Sequence, residues 1–177
     1  MSKTIRIWRS QGLLAQCALD NDLELLIKDF VAYLKGELYF NGLGGIKYLN
    51  AKYVLGTDVP FDRNPVKLVG IDYPRGDYSG TCNHIHVLDK TIKIPTSSQK
   101  NIYDDLISNR RTKERQEKWT GDMFLVYYRH SMIADSYGIL DFWVNAHSNF
   151  SPAAKTHLQN LIDEYENAVA DEEDEAW

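Results

Sequence analysis

Cysteine is scarce in this chain. Cys17 and Cys82 are the only two among 177 residues, too few and too far apart for a disulfide framework or a CxxC motif. That usage suits a reducing compartment, so a cytoplasmic protein is expected. No apolar run approaches the roughly 18 residues that a membrane-spanning helix needs. The opening MSKTIRIWRSQGLLAQCAL places basic residues ahead of LLAQC. However, Gln16 rather than a small residue precedes Cys17, and Trp8 to Gln11 interrupt the apolar stretch. It reads as a strand rather than a signal. GxSxG, HExxH and Walker motifs are missing, so hydrolase, zinc-protease and nucleoside-triphosphatase readings have no local support. Gly42, Gly44 and Gly45 have neither the spacing nor the Gly-Lys-Ser/Thr ending of a phosphate-binding loop.

Basic residues are missing from one stretch. Residues 163–177 hold eight carboxylates and no Lys or Arg, which leaves +3 on the rest of a chain whose net charge is −5. The expected organisation is a single α+β domain over 1–162, with a polar insertion at about 94–122 and an acidic tail at 163–177. Such a tail is either a solvated helix end or a shield over a basic surface.

The apolar pattern is clearest from Gly121 to His147. MFLVYYRH, the gap SMIADS and YGILDFWVNAH read as an antiparallel hairpin. The first run is apolar on both faces, as in a central strand. In the second, period two puts Leu140, Phe142, Val144 and Ala146 on one face and Asp141, Trp143, Asn145 and His147 on the other. One face would then lie in the core and one would be open to chemistry or water.

Thr4–Trp8 is expected to be a first strand. Asn21 as an N-cap with Glu24 three residues on opens a helix through Leu23, Leu26, Ile27, Phe30, Val31 and Leu34, and Gly36 caps its end. A loop and a short helix at Ile46, Leu49 and Tyr53 follow, then turns over 57–65. Strands are expected at 66–73 and 83–88. Ile102, Leu106 and Ile107 form a helical patch in the insertion. Ser151 and Pro152 open a last helix with Ala154, Leu158, Leu161, Ile162 and Tyr165 toward the core. These elements predict a small, mainly antiparallel sheet packed against an N-terminal and a C-terminal helix.

Several groups could carry chemistry. His84 and His86 share one face of a strand. They fit acid–base work or RNA contact, a metal site completed by His147, Asp141 or His130, or a polar, partly solvated strand face. Arg110, Arg111, Lys113, Arg115 and Lys118, with Trp119 beside them, could neutralise phosphates and stack on a base. The same charges, paired with Glu114 and Glu117, also suit a solvated helix. Arg129 could stabilise a phosphate's developing charge and His130 could move a proton, while Tyr127 and Tyr128 suit packing. His157 reads as a structural or surface histidine.

The segments DFVAYLKG (29–36), NHIHV (83–87), FLVYY (124–128) and Ala146-His147 with the helix after them resemble the YafO-type toxins of bacterial type II toxin–antitoxin systems, which are RelE-like in build. The likeness spans most of Leu23–Ala168 through short motifs. It implies an mRNA endoribonuclease acting at the ribosome without metal or other cofactor, and partnered by an antitoxin protein. It also implies His84 or His86 in proton transfer, with Arg129 or the 110–118 cluster as charge stabiliser. The insertion and the negative net charge depart from that pattern. The competing reading is a non-catalytic binding or inhibitor protein of phage or plasmid origin.

Overall fold

The computed structural model describes residues 3–37, 52–60, 81–92, 99–107, 119–130, 132–149 and 151–175. Five strands form one sheet: β1 (Arg6–Arg9), β2 (Tyr53–Pro60), β3 (Thr81–Asp89), β4 (Phe124–Arg129) and β5 (Ser136–Trp143). Their order is β1-β5-β4-β3-β2. β1 runs parallel to β5, and the other three pairings are antiparallel. β4 is central, as its two-sided apolar sequence requires. With the helices below, the fold is α+β. No helix among the described residues is long and apolar enough to cross a membrane.

Helices cover both faces. On one, α1 (Gln11–Leu19) and α2 (Asn21–Leu34) bury Leu13, Leu26, Ile27 and Phe30 against Leu55, Ile85, Val87, Leu125, Ile139 and Phe142. On the other, α4 (Pro152–Glu175) packs Leu158, Ile162 and Tyr165 against Cys82, Phe124, Val126, Tyr128 and Leu140. A smaller cluster of Val54, Leu88 and Trp119, with Ile102 and Tyr103 of α3 (Lys100–Ile107), extends that second layer. Each fully buried aliphatic or aromatic side chain contributes about 2 kcal/mol by leaving water.

Local chemistry explains the ends. Asp20, one residue before the expected Asn21, caps α2 by accepting from Asp22 N and Leu23 N. Gly36, just past the helix, takes φ +74°, a conformation glycine adopts without strain. α1 stands where only a strand was expected. Ser10 accepts from Leu13 N at 3.1 Å and donates to Leu140 O at 2.6 Å, so it starts α1 and ties it to β5. Tyr53 and residues 57–60 belong to β2 rather than to a helix and a turn. Expected elements at 46–49 and 66–73 lie outside the described residues.

β5 breaks its expected alternation. Val126 pairs with Asp141 but Tyr127 pairs with Ile139, so Leu140 is one residue extra on β5. This bulge turns Leu140 to the α4 face beside Asp141 and Trp143, opposite Phe142. The expected grouping of Leu140 with Phe142 is therefore corrected, as is the expectation of one open face. β2 has its own irregularity between Leu55 and Asp58. Gly56 sits there because a Cβ would lie 2.5 Å from Trp119 Cδ1.

α4 also passes residue 162 without a break. Tyr165 is fully buried, Val169 is nearly so, and Tyr128 donates to Glu166 at 2.8 Å. The acidic stretch thus begins as part of the packed helix, not as a separate tail.

Candidate functional site

β3 places His84 and His86 on the α4 side of the sheet, with Ile85 and Val87 on the other, as period two requires. Both histidines are buried, at 5% and 7% exposure. This corrects the expectation of a partly solvated face: helices cover both sides of the sheet. The Phe124 ring on β4 lies 4.2 Å from the His84 ring and 4.6 Å from the His86 ring, and the two imidazoles are 5.1 Å apart. His86 Nδ1 lies 3.1 Å from Gly121 N and 2.9 Å from Gly121 O. A neutral ring that accepts the Gly121 N–H carries its own proton on Nε2.

Burial pushes His84 down to about 3, with His86 and His147 adding repulsion. His84 is therefore held in its neutral form near neutral pH, which disfavours the acid half of the acid–base role expected of it.

At the mouth of this layer lies a more chemically open pair. The chain leaves β5 and turns through a short 3₁₀ segment, Ala146–Asn149. Asp122, just before β4, holds that turn. Its carbonyl accepts from Ala146 N at 2.9 Å, and its Oδ1 accepts from His147 N at 2.7 Å and from the His147 ring through Nδ1 at 2.5 Å. The His147 ring is 5.7 Å from Phe124 and its side chain is 44% exposed. A carboxylate on Nδ1 fixes the tautomer, putting the proton on Nδ1 and the lone pair on Nε2. His147 was expected on a face open to chemistry and as a possible metal ligand, without a carboxylate partner. Asp122 was missed, because nothing in the sequence spacing links positions 122 and 147.

The other expected residues do not converge here. Arg129 pairs with Thr81, whereas His84 pairs with Val126 and His86 with Phe124. Arg129 is five residues from Phe124 along the strand, roughly 16 Å. His130 accepts from Met132 N and Ile133 N through Nδ1 at 3.1 and 3.0 Å, and its ring sits 5.9 Å from Tyr165. It shapes the β4–β5 turn, where Asp135 takes φ 59°. Arg129 and His130 therefore both lie toward the opposite end of β4 from Phe124 and His86. Trp119 is 6% exposed and packs over β2 and β3, so it offers no open ring for a base, contrary to expectation. Arg110, Arg111, Lys113, Arg115 and Lys118 lie outside the described residues. Among the described residues, no three His, Cys, Asp or Glu side chains are grouped to hold a metal ion.

A second polar cluster went unnoticed in the sequence. On the α2 side of the sheet, Asp58 Oδ2 accepts from Tyr127 at 2.7 Å and from Tyr33 at 3.0 Å, and Asn83 donates to the Tyr127 oxygen at 3.0 Å. Among the described residues, Asp58 Oδ1 and Asn83 Oδ1 are buried there with no hydrogen-bond donor. Burial pushes the Asp58 carboxyl up, against the two tyrosine hydrogen bonds. Tyr127 is pushed well above its usual value by burial and by Asp58.

No family model, curated protein or solved structure matches this chain, so the geometry above stands where a relative's function would.

Proposed function

We propose that the chain is a toxin-like endoribonuclease that cleaves mRNA by metal-independent acid–base chemistry, with the Asp122–His147 pair as its proton-transfer group. One observation carries this reading: an exposed imidazole held through Nδ1 by a carboxylate, at the edge of a rigid aromatic layer. In this reaction His147 Nε2 takes the proton of a ribose 2′-OH. The 2′-oxygen then attacks the adjacent phosphorus. A 2′,3′-cyclic phosphate forms, and the bond to the 5′-oxygen breaks. A proton returned from the imidazolium or from water completes the 5′-hydroxyl. Asp122 stabilises the imidazolium and holds its orientation. His84, His86 and Phe124 form the wall behind it. The basic run 110–118, just ahead of Asp122 in sequence, is assigned to phosphate neutralisation. The ribosome as the place of action, an antitoxin as partner and the cytoplasm as location belong to the same proposal.

The test is induced expression in a bacterial host, followed by mapping of cellular mRNA ends. Wild type is expected to arrest growth and to create discrete new 5′ ends, with purified protein still cutting RNA in EDTA. His147→Ala is expected to lose at least about a hundredfold in cleavage rate. His84→Phe is expected to retain most of it. Cleavage that survives His147→Ala overturns the assignment of the base. Arrest without new RNA ends, together with a stable protein complex, would favour the non-catalytic inhibitor reading.

A further inference from the structure

Lined in part by Ser148 and Asn149 of the 3₁₀ segment is a cleft of about 440 Å³, between the end of β5, α1 and the start of α4. That volume is in the range of small-molecule sites. Gln16, Asp141, Ser148, Asn149, Ser151 and His157 supply its polar wall.

The charge on that wall is already spent. Asp141 accepts three hydrogen bonds: from Phe142 N at 2.8 Å, from Trp143 Nε1 at 2.9 Å and from the His157 ring at 3.1 Å. Its carboxylate therefore serves to orient the imidazole rather than to attract a cation. Because His157 faces Asp141 with Nε2, Nδ1 is the nitrogen it has left for a ligand. The other polar groups are neutral, two primary amides and two hydroxyls. Asn149 Nδ2 donates to Asn145 O at 3.3 Å and Ser151 Oγ accepts from Ala154 N at 3.1 Å, so Asn149 Oδ1 and the Gln16 amide are the groups offered to a ligand. No Lys or Arg lines the cleft among the described residues. A site that recognised phosphate would carry such a cation. A wall of amides, hydroxyls and one ring nitrogen instead suits a neutral ligand with alternating donors and acceptors. Gln and Asn side chains can read the edge of a nucleobase bidentately, and an imidazole can stack on its face.

We propose that this cleft binds a single unstacked nucleobase, with Gln16 and Asn149 reading its edge and His157 contacting it through Nδ1 or its ring face. The choice of a nucleobase among neutral heterocycles rests on the endoribonuclease reading. In that setting the cleft seats a base one segment away from His147 and so selects where the RNA is cut.

The test separates the two ideas. The full-length protein is titrated with adenosine, guanosine, cytidine and uridine, with ribose 5-phosphate as a base-free control, while the His157 ring resonances are followed by NMR. One or more nucleosides are expected to shift them saturably, and ribose 5-phosphate is expected to leave them unmoved. Asn149→Ala is expected to weaken binding about tenfold, as loss of hydrogen bonds worth about 1.4 kcal/mol would. Ala153→Trp, which fills the cleft from an exposed position, is expected to abolish binding, with far-UV circular dichroism unchanged. The proposal is overturned if no nucleoside shifts His157, if ribose 5-phosphate shifts it equally, or if Ala153→Trp leaves binding intact. RNA cleavage without nucleoside binding would sink the cleft alone. Nucleoside binding without cleavage would sink the nuclease reading alone.

Discussion

His84 and Asp58 sit on opposite faces of the sheet and respond to pH in opposite senses. His84 has a folded value of about 3 against an ordinary value of 6.5. Between those limits the unfolded chain binds the extra proton, so the contribution of His84 to stability is full above about 6.5 and is lost as the pH falls toward 3. Denaturant titrations from pH 6.5 downward should show stability falling by up to about 1.4 kcal/mol per pH unit from this group. His84→Phe should flatten that slope; an unchanged slope would place the proton uptake elsewhere. Asp58 behaves in reverse. Its folded value lies above 3.8, so the folded state holds the extra proton and stability is lost as the pH rises through the folded value. Asp58→Asn keeps an acceptor for Tyr33 and Tyr127 and removes the cost of placing a carboxylate charge in a buried position. This variant is expected to unfold at higher temperature than wild type at pH 7, by a few degrees for about 1 kcal/mol. A lower melting temperature would mean that the ionised carboxylate is itself stabilising.

At the scale of elements, the two bulges do most to separate the observed sheet from the one legible in sequence. The hairpin, the central position of β4, the α2 core stripe, its glycine stop and the Ser151-Pro152 start of α4 all follow from local pattern and were readable. The face of Leu140 was not, because a bulge shifts every later side chain by one and leaves no mark in composition. α1 was unreadable for a different reason: QGLLAQCAL lacks a clean apolar stripe, and the bond that ties its Ser10 cap to β5 reaches Leu140, 130 residues away. The Asp122–His147 and Asp141–His157 pairs were hidden too. Each joins residues that only the folded end of β5 brings together. Gly56 gives an element-scale prediction. Gly56→Ala drives a methyl against Trp119, whose carbonyl also accepts from Thr57 N at 3.0 Å. Loss of about 1–3 kcal/mol is expected by chemical denaturation. A neutral effect would mean that Trp119 can move without cost.

For the molecule as a whole, the acidic end of α4 cannot be removed as an appendage. Deleting 163–177 takes away Tyr165, Val169 and the Tyr128–Glu166 hydrogen bond together. Loss of the buried aromatic alone is worth about 3–5 kcal/mol, so this truncation is expected to unfold the protein. Truncation after Ala170 should preserve the fold and remove five of the eight carboxylates. That shorter chain is the proper tool for asking whether the acidic stretch weakens RNA affinity at low salt. If it melts like the longer deletion, the last turns of α4 carry stability that the buried residues do not explain.

The parallel pairing of β1 with β5 has a consequence in time. Arg6 lies opposite Ser136, so the first strand waits for a partner 130 residues later in the chain. Bacterial or eukaryotic synthesis covers that interval in roughly 7–26 seconds. Throughout it, α1 and α2 have an apolar face but no completed sheet to cover it. A nascent chain is therefore open to capture by chaperones or proteases until β5 emerges, and termination ahead of β5 yields a fragment with nothing to pair with β1.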